Sequence, residues 1–270
     1  MSKWPLIIGH RGASAIAPEN TLVALSRALS DKADGIEFDV RRARDNVAVV
    51  IHDATLQRTG LREGDVATLS SAELKRIDVG TWFNLRNPAK ARPEFSRATI
   101  PTLTEVFELT RGSACLCYVE MKCEAHENYA ALARQVVQLV SDFALAHRVV
   151  VESFQLASIK EIKRLDPSIR TAALFERTLK PPVPSVRRII AQAVACGADE
   201  LAIHRSFPVH RATRDAARHN LRTVVWTIDA PEWVERATRC GVHALITNDP
   251  ACLVEARERL RRSSTMNSTL

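Results

Sequence analysis

The amino-acid sequence predicts a (β/α)8 barrel, in which eight parallel strands alternate with helices around one closed sheet. Eight short apolar runs alternate with amphipathic segments of helical length along the 270 residues. This alternation indicates a parallel sheet, and eight such units in one chain of this length indicate a closed barrel. An open, doubly wound sheet is the alternative, but no G-x-G-x-x-G motif follows the first apolar run.

The predicted strands are short runs rich in aliphatic residues and bounded by glycine or polar residues. In chain order they are PLIIGH, GIEFDV, CLCYVEM, RVVVESF, TAALF, ELAIH, TVVWTID and ALITN. Between most of them, apolar residues recur every three or four positions, which predicts helices. These helices cover roughly 128–146, 156–165, 185–196, 208–219, 231–239 and 250–260.

Helix ends are indicated by capping residues. Three pairs have the spacing of a capping box at a helix N-terminus: Ser70 with Glu73, Thr102 with Glu105, and Asp229 with Glu232. Gly197 and Gly241 stand where a glycine ends a helix. These residues mark where several of the predicted helices begin or end.

Residues 54–101 interrupt the alternation of strands and helices. The segment is rich in turn-forming and charged residues, so we expect a small cap inserted after the second strand region. Its composition also predicts a mobile lid that the barrel does not need for folding. Residues 1–270 then form a single domain, in which we expect residues 261–270 to be a disordered tail.

Composition and charge narrow the class of function. Hydrophobic residues make up 46% of the chain and charged residues 26%, as in globular proteins with a sizeable core. The net charge of +7 suits an anionic ligand, but no aromatic-rich basic stretch indicates a nucleic-acid partner. No apolar run approaches the roughly 18 residues that span a bilayer, so we expect no stable membrane insertion.

The first apolar run and the cysteines predict a cytoplasmic protein. The run PLIIGH is too short for the core of a signal peptide. The six cysteines show neither a C-x-x-C pair nor the spacing of zinc ligands, so we expect free thiols in a reducing compartment. The oligomeric state is left open by the sequence.

Acidic side chains occupy positions in two predicted strands that are otherwise apolar. Glu37 and Asp39 share one face of GIEFDV, because side chains alternate along a strand. Glu120 and Lys122 share one face at the end of CLCYVEMK. The apolar face must pack on helices, so we expect the polar face to point into the mouth of the barrel, where the active sites of such barrels lie.

Histidines stand at two further run ends. His10 ends the first strand and is followed by Arg11. His52 ends the run after GIEFDV, and a two-residue turn at Asp45 and Asn46 would place it directly opposite Asp39. A shift of one residue in this register would turn His52 to the other face.

Together these residue types point to the chemistry of a phosphate ester. Three converging carboxylates repel one another unless a cation lies between them, and Mg²⁺ or Ca²⁺ takes oxygen ligands. Two histidines can act as general acid and general base near neutral pH. Arg11 and Lys122 add positive charge suited to a phosphate group.

The stretches GHRGASAIAPENT, EFDV, VVIHDATLQRT, VEMK and VVWTID together resemble the glycerophosphodiester phosphodiesterase family. The resemblance runs from about Leu6 to Pro250. Within the family, the chain is most similar to the cytosolic bacterial members. It implies a metal-dependent barrel that hydrolyses glycerophosphodiesters, such as glycerophosphocholine and glycerophosphoethanolamine, to sn-glycerol 3-phosphate and an alcohol. Asp229 stands where the family often has asparagine.

The resemblance also implies roles for individual residues. It makes His10 and His52 the acid–base pair, and it makes Arg11, Lys122 and Trp226 contacts of the substrate. It implies one divalent ion, Mg²⁺ or Ca²⁺, held by Glu37, Asp39 and Glu120. Phe154 and His204 are further candidates that packing at strand ends would explain equally well.

Two other functions stay open at this stage. A lysophospholipase D-type enzyme would act on lysolipids and would need an apolar mouth facing the membrane. A barrel that binds phosphodiesters without turnover would have no need of two histidines. The sequence does not reveal which histidine is the acid, or whether water or a hydroxyl of the substrate is the nucleophile.

Overall fold

The computed structural model describes residues 4–123, 128–177 and 184–266. Eight parallel strands close into a barrel: β1 (Leu6–His10), β2 (Gly35–Arg42), β4 (Leu116–Met121), β5 (Val149–Ser153), β6 (Arg170–Phe175), β7 (Glu200–His204), β8 (Arg222–Trp226) and β9 (Ala244–Thr247). The first strand closes the sheet by pairing with both β2 and β9. A short strand, β3 (Ala48–Val50), adds antiparallel to the end of β2. The predicted barrel is confirmed.

Helices follow the strands around the outside of the barrel. They are α1 (Leu22–Ser30), α2 (Ser71–Leu74), α3 (Thr81–Arg86), α4 (Leu103–Thr110), α5 (Tyr129–Asp142), α6 (Leu156–Leu165), α7 (Val186–Ala195), α8 (Val209–Ala217), α9 (Trp233–Cys240) and α10 (Pro250–Met266). Over the described ranges, none of them combines the length and hydropathy needed to cross a bilayer.

Most of the predicted helix ends are confirmed. Complete capping boxes begin α2 and α4, through Ser70 with Glu73 and Thr102 with Glu105. In each box the hydroxyl accepts from the third residue's N–H while the glutamate accepts from the capping residue's own N–H. Gly241 ends α9 with a φ of 72°, and Gly197 follows α7 with a φ of 76°.

The capping box predicted at Asp229 is wrong. Helix α9 starts after Glu232, which makes no capping hydrogen bond with its side chain. The carboxylate of Asp229 instead accepts hydrogen bonds from the backbone N–H and from Nδ2 of Asn248, each at 2.8 Å. Asp229 therefore binds the two donors of Asn248, which follows strand β9, and does not cap the helix.

Alternation along the strands divides the apolar residues into two layers. Residues such as Ile36, Phe38 and Val40 face outward and pack under the helices. Inward-facing residues fill the barrel; they are Ile8, Tyr118, Val150, Ala172, Leu174, Ala202, Val224, Ala244 and Ile246. Burying each large aliphatic side chain contributes about 1.5–3 kcal/mol. This packing leaves the carboxyl ends of the strands to polar residues.

A buried glutamate lies among the inward-facing residues near the amino ends of the strands. The Glu200 side chain is fully buried and accepts a hydrogen bond of 3.0 Å from the hydroxyl of Tyr118. Arg170 and His243 approach its other oxygen at 3.6 and 3.9 Å. Burial raises the pKa of Glu200 to about 7 and lowers the pKa of His243 to about 4. Glu200 does not line the cavity at the carboxyl ends of the strands.

The cap, residues 54–101, contains α2, α3 and three 3-10 turns. Two buried apolar clusters join it to the rest of the domain. One sets Leu56 and Leu74 of the cap against Val49 in β3, and the other sets Phe83 and Phe95 against α1. Because these clusters join the cap to β3 and to α1, we expect the cap to fold together with the rest of the domain, which argues against a dispensable lid.

The expected disordered tail is partly helical. Helix α10 continues to Met266, so residues 261–266 extend the helix and only 267–270 lie outside the described residues. Ion pairs three positions apart, such as Arg261 with Glu258 at 2.9 Å, support this last stretch of helix.

Candidate active site

Polar side chains surround a cavity of about 150 Å³ at the carboxyl ends of the barrel strands. Seven of the eight site residues predicted from the sequence line it: His10, Arg11, Glu37, His52, Glu120, Lys122 and Trp226. The eighth, Asp39, lies behind the cavity wall and is fully buried. The strand pattern therefore brings the predicted residues into one place.

A tight turn after β1 shapes one side of the cavity. Arg11 and Gly12 both have left-handed backbones, with φ angles of 53° and 84°. The turn directs the backbone N–H of Arg11 to Oε2 of Glu37, at 2.9 Å. A Cβ at residue 12 would lie 2.4 Å from the backbone carbonyl carbon of Ala24 in α1, so only glycine fits there.

Three buried glutamates converge on one point of the cavity. One oxygen from each of Glu37, Glu120 and Glu152 lies within 4.8 Å of the others. Oε1 of Glu37 and Oε2 of Glu152 are buried without a hydrogen-bond partner among the described residues. Burial and the neighbouring acids raise the pKa of Glu37 and of Glu152 well above the ordinary value, and that of Glu120 to about 7. Orphaned carboxylate oxygens at this spacing fit a hard divalent cation.

Glu152 was not among the site residues predicted from the sequence. It stands in β5 next to Glu120 in the parallel register, and both side chains point inward. The signal was present in the sequence, since Val150 and Glu152 share the inward face of RVVVESF. From the sequence alone, a single acid near the end of a run of valines could equally belong to an isolated ion pair or to an active site.

Asp39 differs from the three glutamates because it already has several partners. Its Oδ2 accepts from Nδ2 of Asn20 at 2.7 Å and lies 3.2 Å from Nε of Arg11. Its Oδ1 lies 3.3 Å from Nζ of Lys122. Burial opposes ionisation of Asp39, but Arg11 and Lys122 outweigh it and hold the pKa below its usual range. Asp39 is therefore an anion that orients both cations of the site.

The imidazole of His10 is held by an amide. Nδ1 lies 2.7 Å from Oδ1 of Asn248, and Nδ2 of that amide donates to Asp229 at 2.8 Å. This second bond fixes the amide orientation, so Nδ1 of His10 must be the donor. Nε2 is then left without a proton, 3.9 Å from Glu37. Burial and the neighbouring Arg11 lower the pKa of His10 to about 4.

The imidazole of His52 is held by a carboxylate. Nδ1 lies 2.6 Å from Oδ1 of Asp53, and Oδ2 of Asp53 accepts from Nε of Arg58 at 2.6 Å. Burial opposes ionisation of Asp53, but its bonds to Arg58 and His52 hold the pKa below its ordinary value. A carboxylate partner stabilises a protonated imidazole, which an amide oxygen does far less. Burial nevertheless lowers the pKa of His52 itself.

The predicted position of His52 opposite Asp39 is wrong. The strands pair Val40 with Val50, one residue away from the predicted register. The hairpin has a three-residue loop, because the backbone N–H of Ala43 bonds the carbonyl of Val47 and Asn46 takes a left-handed φ of 65°. Strand β3 ends before His52, and the chain beyond it carries the imidazole to the cavity.

Two aromatic rings also line the cavity. The ring of Trp226 meets that of Phe154 edge to face, with centroids 5.6 Å apart. The ring of His204 also contacts that of Trp226, with centroids 5.2 Å apart. Phe154 and Trp226 line the cavity, whereas His204 contacts the tryptophan ring without lining the cavity itself. Nζ of Lys122 lies 5.6 Å from the centroid of the Phe154 ring, so charged and aromatic groups meet directly in the cavity.

The sequence was compared with families of known proteins. The model of the glycerophosphoryl diester phosphodiesterase family matches residues 10–252. A glycerophosphodiester phosphodiesterase of Caldanaerobacter subterraneus subsp. tengcongensis is 31% identical over 251 residues, 92% of this chain and 96% of that protein. Another from Bacillus subtilis is 28% identical over 253 residues, 91% of this chain and 84% of the relative.

Solved structures share the fold. A phosphodiesterase from Oleispira antarctica, in complex with the product sn-glycerol-3-phosphate, aligns with a TM-score of 0.81 at 25% identity and covers 94% of this chain and 96% of its own. A glycerophosphodiester phosphodiesterase from Agrobacterium tumefaciens aligns with a TM-score of 0.73 at 26% identity, over 92% and 98% of the two chains. With its charged cavity and a family match over nearly its whole length, the chain belongs to the glycerophosphoryl diester phosphodiesterase family.

Proposed function

We propose that this phosphodiesterase hydrolyses glycerophosphodiesters to sn-glycerol 3-phosphate and an alcohol, with glycerophosphocholine and glycerophosphoethanolamine among its substrates. The observation that carries the proposal is a single cavity containing converging glutamates and two imidazoles with different partners. The similar structure from Oleispira antarctica, which holds the product sn-glycerol-3-phosphate, supports the choice of substrate.

One divalent ion, Mg²⁺ or Ca²⁺, fits the carboxylates of this cavity. Glu37 and Glu120 belong both to the set predicted from the sequence and to the set that converges in the structure. Asp39 and Glu152 are the two candidates to complete it. When bound, such an ion would polarise the phosphate and stabilise negative charge on its oxygens.

Arg11 and Lys122 bind and orient the phosphate in this proposal. Both cations line the cavity, and both are anchored by Asp39, at 3.2 and 3.3 Å. Burial opposes the charge of Lys122, but Asp39 and Glu120 outweigh it and raise the pKa of the amine. The two cations therefore stay charged near neutral pH, and Trp226 offers its apolar ring to the carbon edge of glycerol.

The partners of the two histidines support a different role for each. His10 has its proton on Nδ1 and a low pKa, so its Nε2 is free to take a proton from the attacking hydroxyl. That hydroxyl belongs either to water or to the glycerol of the substrate. His52 rests on Asp53, which stabilises the protonated ring, so its Nε2 gives a proton to the leaving alcohol. A phosphodiester anion beside His52 favours that protonated form further.

A cytoplasmic location and water-soluble substrates complete the proposal. All six cysteines are free thiols, as expected in a reducing compartment. The cap aromatics Trp82, Phe83 and Phe95 are buried, which leaves Leu61 and Leu85 as the large apolar side chains that the cap exposes. These observations favour free diesters over lysolipids as substrates.

Product analysis tests the proposed function. The protein is incubated with glycerophosphocholine and with lysophosphatidylcholine, with and without Mg²⁺, Ca²⁺ or a chelator. We expect sn-glycerol 3-phosphate and choline from the first substrate, and no product after chelation. Phosphocholine with free glycerol would reverse the assigned bond cleavage. Turnover of the lysolipid alone would establish the alternative activity, and binding without turnover would make the protein a binder.

A further inference from the structure

A chain of charged side chains runs from His52 to Arg11 through the cap. Arg58 donates from Nε to Oδ2 of Asp53 at 2.6 Å, and Asp53 holds His52. The guanidinium of Arg58 also donates from both Nη atoms to the two oxygens of Glu19, at 2.7 and 2.8 Å. Glu19 in turn accepts from Nη1 of Arg11 at 2.8 Å. Arg58 of the cap thus joins Asp53, which holds His52, to Glu19, which holds Arg11.

The burial and geometry of these contacts distinguish them from ordinary surface ion pairs. The side-chain exposure of Glu19 is 12% and that of Arg58 is 30%, so solvent screens the pairs only partly. The contact of Arg58 with Glu19 is bidentate, an arrangement that fixes orientation as well as distance. The guanidinium also lies 5.5 Å from the centroid of the Trp82 ring, which holds it from the cap side.

The charges of the chain balance. Arg11 and Arg58 carry two positive charges, while Glu19 and Asp53 carry two negative charges, so the four groups bring no net charge to the cavity. The four groups therefore do not serve to attract a charged substrate. Their geometry instead restrains two side chains that face the substrate, the imidazole of His52 and the guanidinium of Arg11.

We propose that Arg58 and Glu19 are positioning residues for the reaction. Arg58 fixes the carboxylate of Asp53 and thereby the ring of His52, on the side of the leaving alcohol. Glu19 fixes the guanidinium of Arg11, on the side of the phosphate. This inference rests on the proposed function, and it makes the cap a part of the catalytic apparatus that needs no contact with the substrate.

The two residues should give different kinetic signatures. In Arg58→Met, Asp53 loses its anchor and His52 is misplaced, and a misplacement of about 1 Å can cost ~10²-fold in rate. We expect kcat for glycerophosphocholine to fall by about that factor. With a glycerophospho-p-nitrophenol ester the loss should be at least several-fold smaller, because an acidic leaving group needs little help from the acid. In Glu19→Gln we expect mainly a higher KM for both substrates, because Arg11 serves both. We expect a smaller loss of kcat in this variant, because Arg58 keeps its bond to Asp53.

Arg86→Met is the matched control. Arg86 is also in the cap, and its guanidinium lies over the same Trp82 ring at 6.0 Å. It has no place in the chain from His52 to Arg11, so we expect its substitution to leave both kinetic constants unchanged. Arg58→Lys serves as a second test variant, since it keeps the charge but loses the bidentate fork.

The outcomes separate this inference from the proposed function. If the wild-type protein fails to hydrolyse either ester, the proposed function falls. If the wild type is active but the Arg58 variants lose the same factor on both esters, in step with a lower melting temperature, the role of Arg58 is structural and the inference is wrong. A selective loss on glycerophosphocholine in Arg58→Lys, which retains the fold more readily, supports the inference even if Arg58→Met is unfolded.

Discussion

The Nδ1 atom of His52 lies 2.6 Å from a carboxylate oxygen of Asp53, whereas the same atom of His10 faces an amide oxygen. This difference predicts opposite responses to the leaving group. Both His10→Ala and His52→Ala should lose about 10²–10⁴-fold in kcat. A nitrophenol leaving group should partly restore only His52→Ala, which lacks the acid. Steady-state kinetics with both esters measure this, and equal rescue of the two variants would refute the assignment.

The support of His10 can be tested through Asn248. Without its amide, the Nδ1 proton of His10 has no acceptor, and the ring can turn or change tautomer. We expect Asn248→Ala to lower kcat on every substrate, by less than the ~10²–10⁴-fold that complete loss of a general base costs. Metal affinity, measured by calorimetry, is the internal control and should be unchanged. Full activity in this variant would show that the amide does not orient the base.

Metal affinity distinguishes the candidate ligands. We expect Glu37→Gln and Glu120→Gln to weaken Mg²⁺ or Ca²⁺ binding sharply in calorimetry, because both residues belong to either possible ligand set. Asp39→Asn and Glu152→Gln are then compared at the same pH. A large loss with only one of them identifies the residue that completes the site. Unchanged affinity in Glu120→Gln would remove Glu120 from the metal centre altogether.

The buried Glu200 predicts a particular dependence of stability on pH. Its folded-state pKa is raised by burial from the ordinary 4.5 to about 7. The folded protein therefore holds this proton more tightly than the unfolded chain, and its contribution to stability is lost as pH rises through that window. Between pH 5 and pH 8 this loss amounts to about 2–3 kcal/mol.

Glu200→Gln should remove that loss. The wild-type free energy of unfolding, relative to the variant, should therefore fall between pH 5 and pH 8 in urea titrations. His243, with its lowered pKa, acts in the opposite direction: its contribution is complete above pH 6.5 and is lost towards pH 4. Because His243 lies 3.9 Å from Glu200, the comparison is read above pH 6.5, where the contribution of His243 is constant. A constant difference across the range would contradict the raised pKa.

The turn that carries Arg11 should not tolerate a side chain at Gly12. Gly12→Ala places a methyl group 2.4 Å from the backbone of α1 at a φ of 84°. We expect a loss of at least ~1–3 kcal/mol in stability, measured by thermal unfolding. Gly112→Ala is the control, because a Cβ there has open space around it. Similar melting temperatures for the two variants would show that the turn adapts.

The alternation of apolar and polar residues was sufficient to predict the barrel and most of the site. Strand ends of a parallel sheet meet at one edge, so His10, Glu37 and Glu120 could be placed together without any knowledge of distances. Glu152 obeys the same rule, but an isolated acid in an apolar run carries no signal of its own. It gains meaning only from the register that sets it beside Glu120.

Other details depended on a choice between alternative loop lengths or alternative hydrogen-bond partners, which the sequence does not reveal. The hairpin after β2 closes with three residues because Asn46 adopts a left-handed conformation, and two turn-forming residues alone fit either loop length. Asp229 has the spacing of a helix cap, yet Asn248, nineteen residues further on, takes its hydrogen bonds. The charged chain through Glu19 and Arg58 joins residues 39 apart and becomes visible only in the folded protein.

The pairing of β1 with β9 has a consequence for the protein during its synthesis. The ribosome delivers His10 well before Asn248, which lies 238 residues further along the chain. The glutamates of β2, β4 and β5 can all be present long before His10, the proposed general base, is oriented. An incomplete nascent chain is therefore expected to lack hydrolytic activity until its last strand has joined the first.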